Sequence, residues 1–178
     1  MALITLLRHA PLASKYQRCY NGHIDLEIDN SLINLEQQET LRKVKNQNYD
    51  LVFSSDLKRC TQTLDLIHFS YKTDNRLREV KFKDIFEGKS FDEISKMDIY
   101  DKKHLTSFIT WHNFISSESI KDYKNRVISF LEELPKNKNI LICSHGGTIK
   151  LLHSILKNKR YEESLLKIEY CEFIDLNT

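Results

Sequence analysis

Three short apolar runs punctuate an otherwise mixed chain. Ala2–Leu7 ends at Arg8-His9, Leu51–Ser54 reads LVFS, and Asn139–Ser144 reads NILICS. Runs of this length bounded by polar clusters predict buried strands. Behind the second run, Leu57, Cys60, Leu64 and Ile67 recur at helical spacing, and behind the third Ile149, Leu152 and Leu156 do the same. Val127, Phe130, Leu131 and Leu134 mark an amphipathic helix that stops before Pro135. Ser31–Gln47 reads as a less regular helix, and Leu165–Leu176 as terminal strand. Strands alternating with helices predict an α/β fold, a three-layer sandwich with a mostly parallel central sheet flanked by helices.

Residues 89–123 fit this scheme least well. The segment is mixed and helix-prone, and holds Phe91, Tyr100, Phe108, Trp111, Phe114 and Tyr123. It reads either as a helical satellite with a small core of its own or as a lid over a pocket. No repeat or linker divides the chain, so residues 1–178 are expected to form one domain.

Composition narrows the function. With 4 Gly and 2 Pro in 178 residues, the chain is neither linker-rich nor of low complexity. Basic and acidic residues number 27 and 25, with no run of one sign, which gives nucleic-acid or membrane binding no support. The apolar start is too short for a signal-peptide core, and the expected location is the cytoplasm. Cys19, Cys60, Cys143 and Cys171 are scattered and form no C-x-x-C pair, so no disulfide framework is expected. No metal-ligand spacing such as H-E-x-x-H is present, and no cofactor is expected.

The candidate chemistry lies where predicted strands end, as ligand sites do in open α/β sheets. Arg8-His9 follows the first strand, Ser54-Ser55-Asp56-Leu57-Lys58-Arg59 the second, and Ser144-His145-Gly146-Gly147 the third. Each alone is weak, since a lone His at a strand end is more often structural. Together they bring two Arg and two His to one crevice, in a chain where Lys is the commoner base. Arg suits bidentate contact with phosphate oxygens, and the N–H groups of a helix opening at Gly146-Gly147 also face an anion well. A neutral imidazole is a nucleophile, and neighbouring arginines lower its pKa and favour that form.

These residues carry a resemblance. LLRHA, YNGHIDL, VFSSDLKRCTQT, LREVKFKDIFEG and ICSHGGTIK occur in the order found in the histidine phosphatase superfamily, also called phosphoglycerate mutase-like. The resemblance implies that His9 is the nucleophile that becomes a phosphohistidine. It implies that Arg8 and Arg59 bind the phosphoryl group, that His145 binds it and stabilises the transition state, and that Glu79 is the general acid. Asn21 and Gly22 match a loop position at or beside the phosphate, and Gly146 lies at the helix start beside it. The implied chemistry needs no metal.

Within the superfamily, R-H-A-P-L and C-Y-N-G-H-I-D resemble the short α-ribazole phosphatases of cobalamin assembly, with Asn21 as one extra residue. The expected activity is therefore a metal-independent phosphomonoesterase resembling α-ribazole-5′-phosphate phosphatase. A broad phosphatase of sugar phosphates or phosphoamino acids is the first alternative. Ala10-Pro11 in place of the usual Gly turn motivates another, a non-catalytic module that binds a phosphorylated ligand. Lys83 and Phe86 also depart from the family's usual Gly and Trp. The expected partner is a small phosphorylated metabolite, and a homodimer is left open.

Overall fold

The computed structural model describes residues 3–177, so Ala2, at the head of the predicted first strand, lies outside the described residues. The apolar runs form strands β1 (Leu3–Arg8), β2 (Leu51–Ser54) and β4 (Ile140–Ser144). With β3 (Lys72–Thr73) and β5 (Phe173–Asn177) they make one sheet in the order β3-β2-β4-β1-β5. β1 to β4 pair in parallel, and β5 alone runs antiparallel, against β1.

Alternation within the strands divides the core. Ile4, Leu6, Ile140 and Ile142 pack with Tyr123, Val127 and Phe130 of helix α5 (Ile120–Glu132) and with Ile149 and Leu152 of α6 (Gly146–Leu156). Their neighbours Leu7, Leu141 and Cys143 face the other way, onto Leu41 and Val44 of α1 (Leu35–Lys45) and Cys60 and Leu64 of α2 (Lys58–Leu66). Helices therefore cover both faces of the sheet, and all five residues of β4 are buried. That explains why its sequence reads as a continuous apolar run.

Two sequence expectations need correction. The helix predicted over Ser31–Gln47 begins only at Leu35. Asn34 accepts from Gln37 N, and the Gln37 side chain accepts from Asn34 N, a capping box that stops the helix. Asn30–Leu32 is a separate short turn capped by Asp29. The terminal strand predicted over Leu165–Leu176 starts at Phe173. Before it, Ile168 and Glu172 give their carbonyls to the Arg8 guanidinium and the Arg8 N–H, so this stretch serves the end of β1 instead of extending the sheet.

Residues 89–123 hold α3 (Phe91–Ile94), α4 (Phe108–Ile115) and the start of α5. Ile94, Ile115 and Tyr123 join the core cluster of α5 and α6. Two departures from the family pattern hold this segment down. Phe86 is buried against Phe114, ring centroids 4.9 Å apart, and Lys83 Nζ donates to the Phe114 carbonyl at 2.7 Å.

Candidate active site

Register sets the site. Arg8 pairs with Ser144, and Ser54 with Cys143, so β1, β4 and β2 end on one line. The residues that follow, His9, His145 and the Ser55–Arg59 turn, must therefore meet. His9, His145 and Arg59 line one cavity of about 240 Å³ together with Arg8, Asn21, Gly22, Glu79, Gly146 and Gly147. The eight positions singled out from sequence are thus brought together.

His9 is 4% exposed, and its Nδ1 lies 2.8 Å from the Ala10 carbonyl. A carbonyl can only accept, so Nδ1 carries the proton and Nε2 keeps its lone pair. Burial, then Arg59, then Arg8 hold the His9 pKa well below the ordinary imidazole value. The ring is thus neutral and held in the tautomer a nucleophile needs.

Arg59 is 2% exposed. Its Nε donates to His145 Nδ1 at 3.0 Å, and its terminal nitrogens donate to the Ile24 and Gly22 carbonyls at 2.7 Å each. Those contacts use three of five N–H groups, so two remain for a ligand. Because Arg only donates, His145 Nδ1 must accept. Its Nε2 therefore holds the proton and donates to Ser55 Oγ at 2.9 Å. Burial, then Arg59, His9, Arg8 and His23, keep His145 well below the ordinary imidazole pKa.

Arg8 lies with its guanidinium carbon 4.1 Å from the Tyr170 ring centroid and donates to the Ile168 carbonyl at 2.6 Å. Its Nε is buried with no acceptor. Neither Arg8 nor Arg59 joins an ion pair among the described residues. Two guanidiniums without a counter-ion, one with an orphaned donor, make an anion site.

Glu79 sits across the cavity at the head of α6. Its Oε2 accepts from Gly147 N at 2.9 Å, and its Oε1 from Val80 N at 3.0 Å and Tyr123 Oη at 3.2 Å. A Cβ on Gly147 would fall 2.5 Å from Oε1, so only glycine lets the carboxylate reach the helix start. Gly22 is required for another reason: its φ is +45°, and a side chain there would collide with Glu87 and Phe82.

Asn21 lines the cavity with its Nδ2 on the Tyr16 carbonyl at 2.7 Å. Ala10 is not among the residues with positive φ, and its N–H donates to Thr63 Oγ1 at 2.8 Å. Its methyl group therefore needs no strained backbone, which removes the motive for a non-catalytic reading. Sequence reasoning missed Tyr170 and gave no role to Ser55 or Arg18, all of which hold or line the site. Tyr170 lay inside the stretch read as strand, Ser55 inside the cluster led by Arg59, and Arg18 next to the C-Y-N-G loop, whose Asn and Gly drew the assignment.

Among the described residues, no group of three or more His, Cys, Asp or Glu could hold a metal ion, and no helix is long and apolar enough to cross a membrane.

Residues 4–177 match the sequence profile described as the histidine phosphatase superfamily (branch 1). A protein of Hydrogenobacter thermophilus named as a candidate phosphoserine phosphatase is 28% identical over 168 residues, which cover 88% of this chain and 77% of that one. A broad-specificity phosphatase of Saccharomyces cerevisiae is 28% identical over 174 residues, covering 88% and 71%. The α-ribazole phosphatase of Shigella flexneri shares the fold, with a TM-score of 0.78 at 21% identity over 98% of this chain and 90% of that one.

Proposed function

The chain belongs to branch 1 of the histidine phosphatase superfamily and is a hydrolase of that type, and from this premise we propose how its residues divide the work. His9 Nε2 attacks phosphorus in line with the ester oxygen. The P–N bond forms as the P–O bond breaks, and Glu79 gives its proton to the departing oxygen. Water, deprotonated by the Glu79 carboxylate, then attacks the phosphohistidine. It releases inorganic phosphate and returns the electron pair to Nε2. Arg8 Nε, the two unused N–H groups of Arg59, Asn21 Nδ2 and the first turn of α6 at Gly146 hold the phosphoryl oxygens. They are in place before charge develops. His145 offers its Nε2–H, which rests on Ser55 until phosphate is bound.

The observation that carries this reading is the neutral His9, tautomer fixed, between two arginines that have no counter-ion. The purified protein is expected to hydrolyse p-nitrophenyl phosphate equally well with and without EDTA. His9→Ala should reduce turnover to background while its circular dichroism stays unchanged. Loss of activity in EDTA, or a His9→Ala variant that retains it, would overturn the assignment.

For substrate, the C-Y-N-G loop and the fold shared with the Shigella enzyme support an ester like α-ribazole-5′-phosphate. The Hydrogenobacter relative, named for phosphoserine, and the broad-specificity yeast relative support the alternative, a broad phosphatase of sugar phosphates or phosphoamino acids. We place the activity in the cytoplasm, on a small phosphorylated metabolite. A panel of such esters ranked by kcat/KM separates the two readings.

A further inference from the structure

A second cavity, of about 230 Å³, adjoins the phosphate cavity and shares Tyr20, Glu79, Phe82 and Gly147 with it. Glu79 lines both. An ester held by the arginines with its leaving oxygen at this acid turns its alcohol part toward the second space. The walls are aromatic: besides Tyr20 and Phe82, the cavity meets Phe108 and Trp111 of α4 and Tyr161. Trp111 Nε1 donates to Tyr20 Oη at 3.2 Å, which joins the two walls.

Two polar groups in this apolar space have nothing to do. Lys150 Nζ lies 5.2 Å from the Phe108 centroid and 5.5 Å from that of Tyr161. Among the described residues its ammonium makes no ion pair and no hydrogen bond. Burial among the rings pushes its pKa down. Lys150 stands one turn beyond Gly147 on α6, on the face that carries the Glu79 contact. Ser116 is 7% exposed, and its Oγ is buried with no partner. A buried hydroxyl left unpaired is costly unless a ligand satisfies it, and a half-buried cation with no counter-ion beside it supplies the charge for an anionic one.

We propose that this cavity is a subsite for the alcohol part of the substrate, and that it takes a carboxylate on a flat or apolar stem, paired with Lys150 and hydrogen-bonded by Ser116. The inference rests on the phosphatase reading and narrows it. A neutral nucleoside alcohol such as α-ribazole leaves the lysine without a counter-charge, whereas a phosphorylated hydroxy acid supplies one. The stem stacks between Trp111 and Tyr161, which excludes water from the ion pair and strengthens it.

Matched esters test this. Phosphoglycolate and 4-(carboxymethyl)phenyl phosphate are each compared with the corresponding carboxamide, which keeps shape and removes charge. The wild type is expected to favour the acid at least tenfold in kcat/KM in one pair. Lys150→Met should bring that ratio to about one, and Lys150→Arg should restore it. A ratio near one in both pairs for the wild type, or a preference that survives Lys150→Met, would overturn the subsite. Binding is read separately in His9→Ala, by Trp111 fluorescence with the same pairs, so the subsite stands or falls even without turnover. Failure of the wild type to hydrolyse p-nitrophenyl phosphate strikes the phosphatase reading instead.

Discussion

Arg59 is as buried as the leucines around it, and it spends three N–H groups on the protein before any substrate arrives. It ties the Gly22–Ile24 loop to the end of the sheet and sets the His145 tautomer. A single side chain thus arranges three parts of the site. Its importance was legible in the sequence, because an Arg after a strand in a Lys-rich chain asks for a reason. Ser55 was not, because a serine's role depends on what lies across the fold from it, here residue 145. Gly147 was read as an anion-facing position in a helix start. Its sharper role is to leave room for Glu79. Gly147→Ala should therefore displace the acid and lower kcat by about 10²-fold or more, within the usual range for general acid catalysis. Steady-state kinetics with an alkyl phosphate, whose poor leaving group needs the proton, is the measurement. An unchanged kcat would show that Glu79 is not held where the structure has it. In kcat/KM, which reports the phosphorylation half-reaction, Glu79→Gln should fall by a similar factor with alkyl phosphates and by much less with p-nitrophenyl phosphate, whose leaving group needs little help.

Helices α5 and α6 meet at the acid. Arg126 of α5 donates to the carbonyls of Arg76, Arg78 and Glu79, while Glu118 accepts from its Nε at 2.6 Å. Its guanidinium carbon lies 4.6 Å from the Tyr123 centroid, and Tyr123 in turn touches Glu79. The 76–79 segment has little regular structure of its own, so α5 holds it in place. Sequence periodicity showed that α5 is a helix but not what its polar residues grip. Only the apolar face repeats with the helical period, and the contacts of Arg126 lie almost fifty residues away. Arg126→Met should cost roughly 1.5–3 kcal/mol of stability through lost charged hydrogen bonds. It should also lower kcat/KM for alkyl phosphates more than for p-nitrophenyl phosphate. Equal slowing of both substrates would place its effect outside the acid. The misread start of α1 has a similar physical origin. Asn34 and Gln37 form a local capping box that starts the helix later than its apolar residues suggest.

Across the whole molecule, five histidines, His9, His23, His112, His145 and His153, have pKa values below the ordinary imidazole range, each chiefly through burial. Unfolding returns them to about 6.5. Below that pH the unfolded chain binds more protons than the folded one. Their contribution is thus complete above about pH 6.5 and is lost progressively as pH falls from there through the lower folded-state values. Calorimetry should find a steady Tm between pH 7 and 8 and a fall of at least about 3 °C by pH 5.5, since about 1 kcal/mol moves a chain of this size by roughly that much. Asp56, held low by Arg78, loses its pairing only at more acid pH. A flat Tm down to pH 5 would contradict the buried neutral histidines. The same neutrality places the acid limb of kcat/KM below the ordinary imidazole pKa. Replacing Arg8 or Arg59 by Met should move that limb upward, because each arginine disfavours the protonated ring. At this scale the sequence was most legible. Apolar runs and helical spacing placed the parallel sheet and the helices on both its faces, whereas the antiparallel edge strand and the walls of the second cavity depend on contacts no local pattern records.

The central claim is that His9 carries the phosphoryl group between the two half-reactions. Rapid acid-free quenching during turnover of a radiolabelled phosphate ester, followed by peptide mapping under alkaline conditions, tests it most directly. The account predicts an alkali-stable, acid-labile label on the peptide that contains His9, absent in His9→Ala and present in Glu79→Gln with p-nitrophenyl phosphate. Turnover with no protein-bound phosphate, or a label on any other residue, would contradict it.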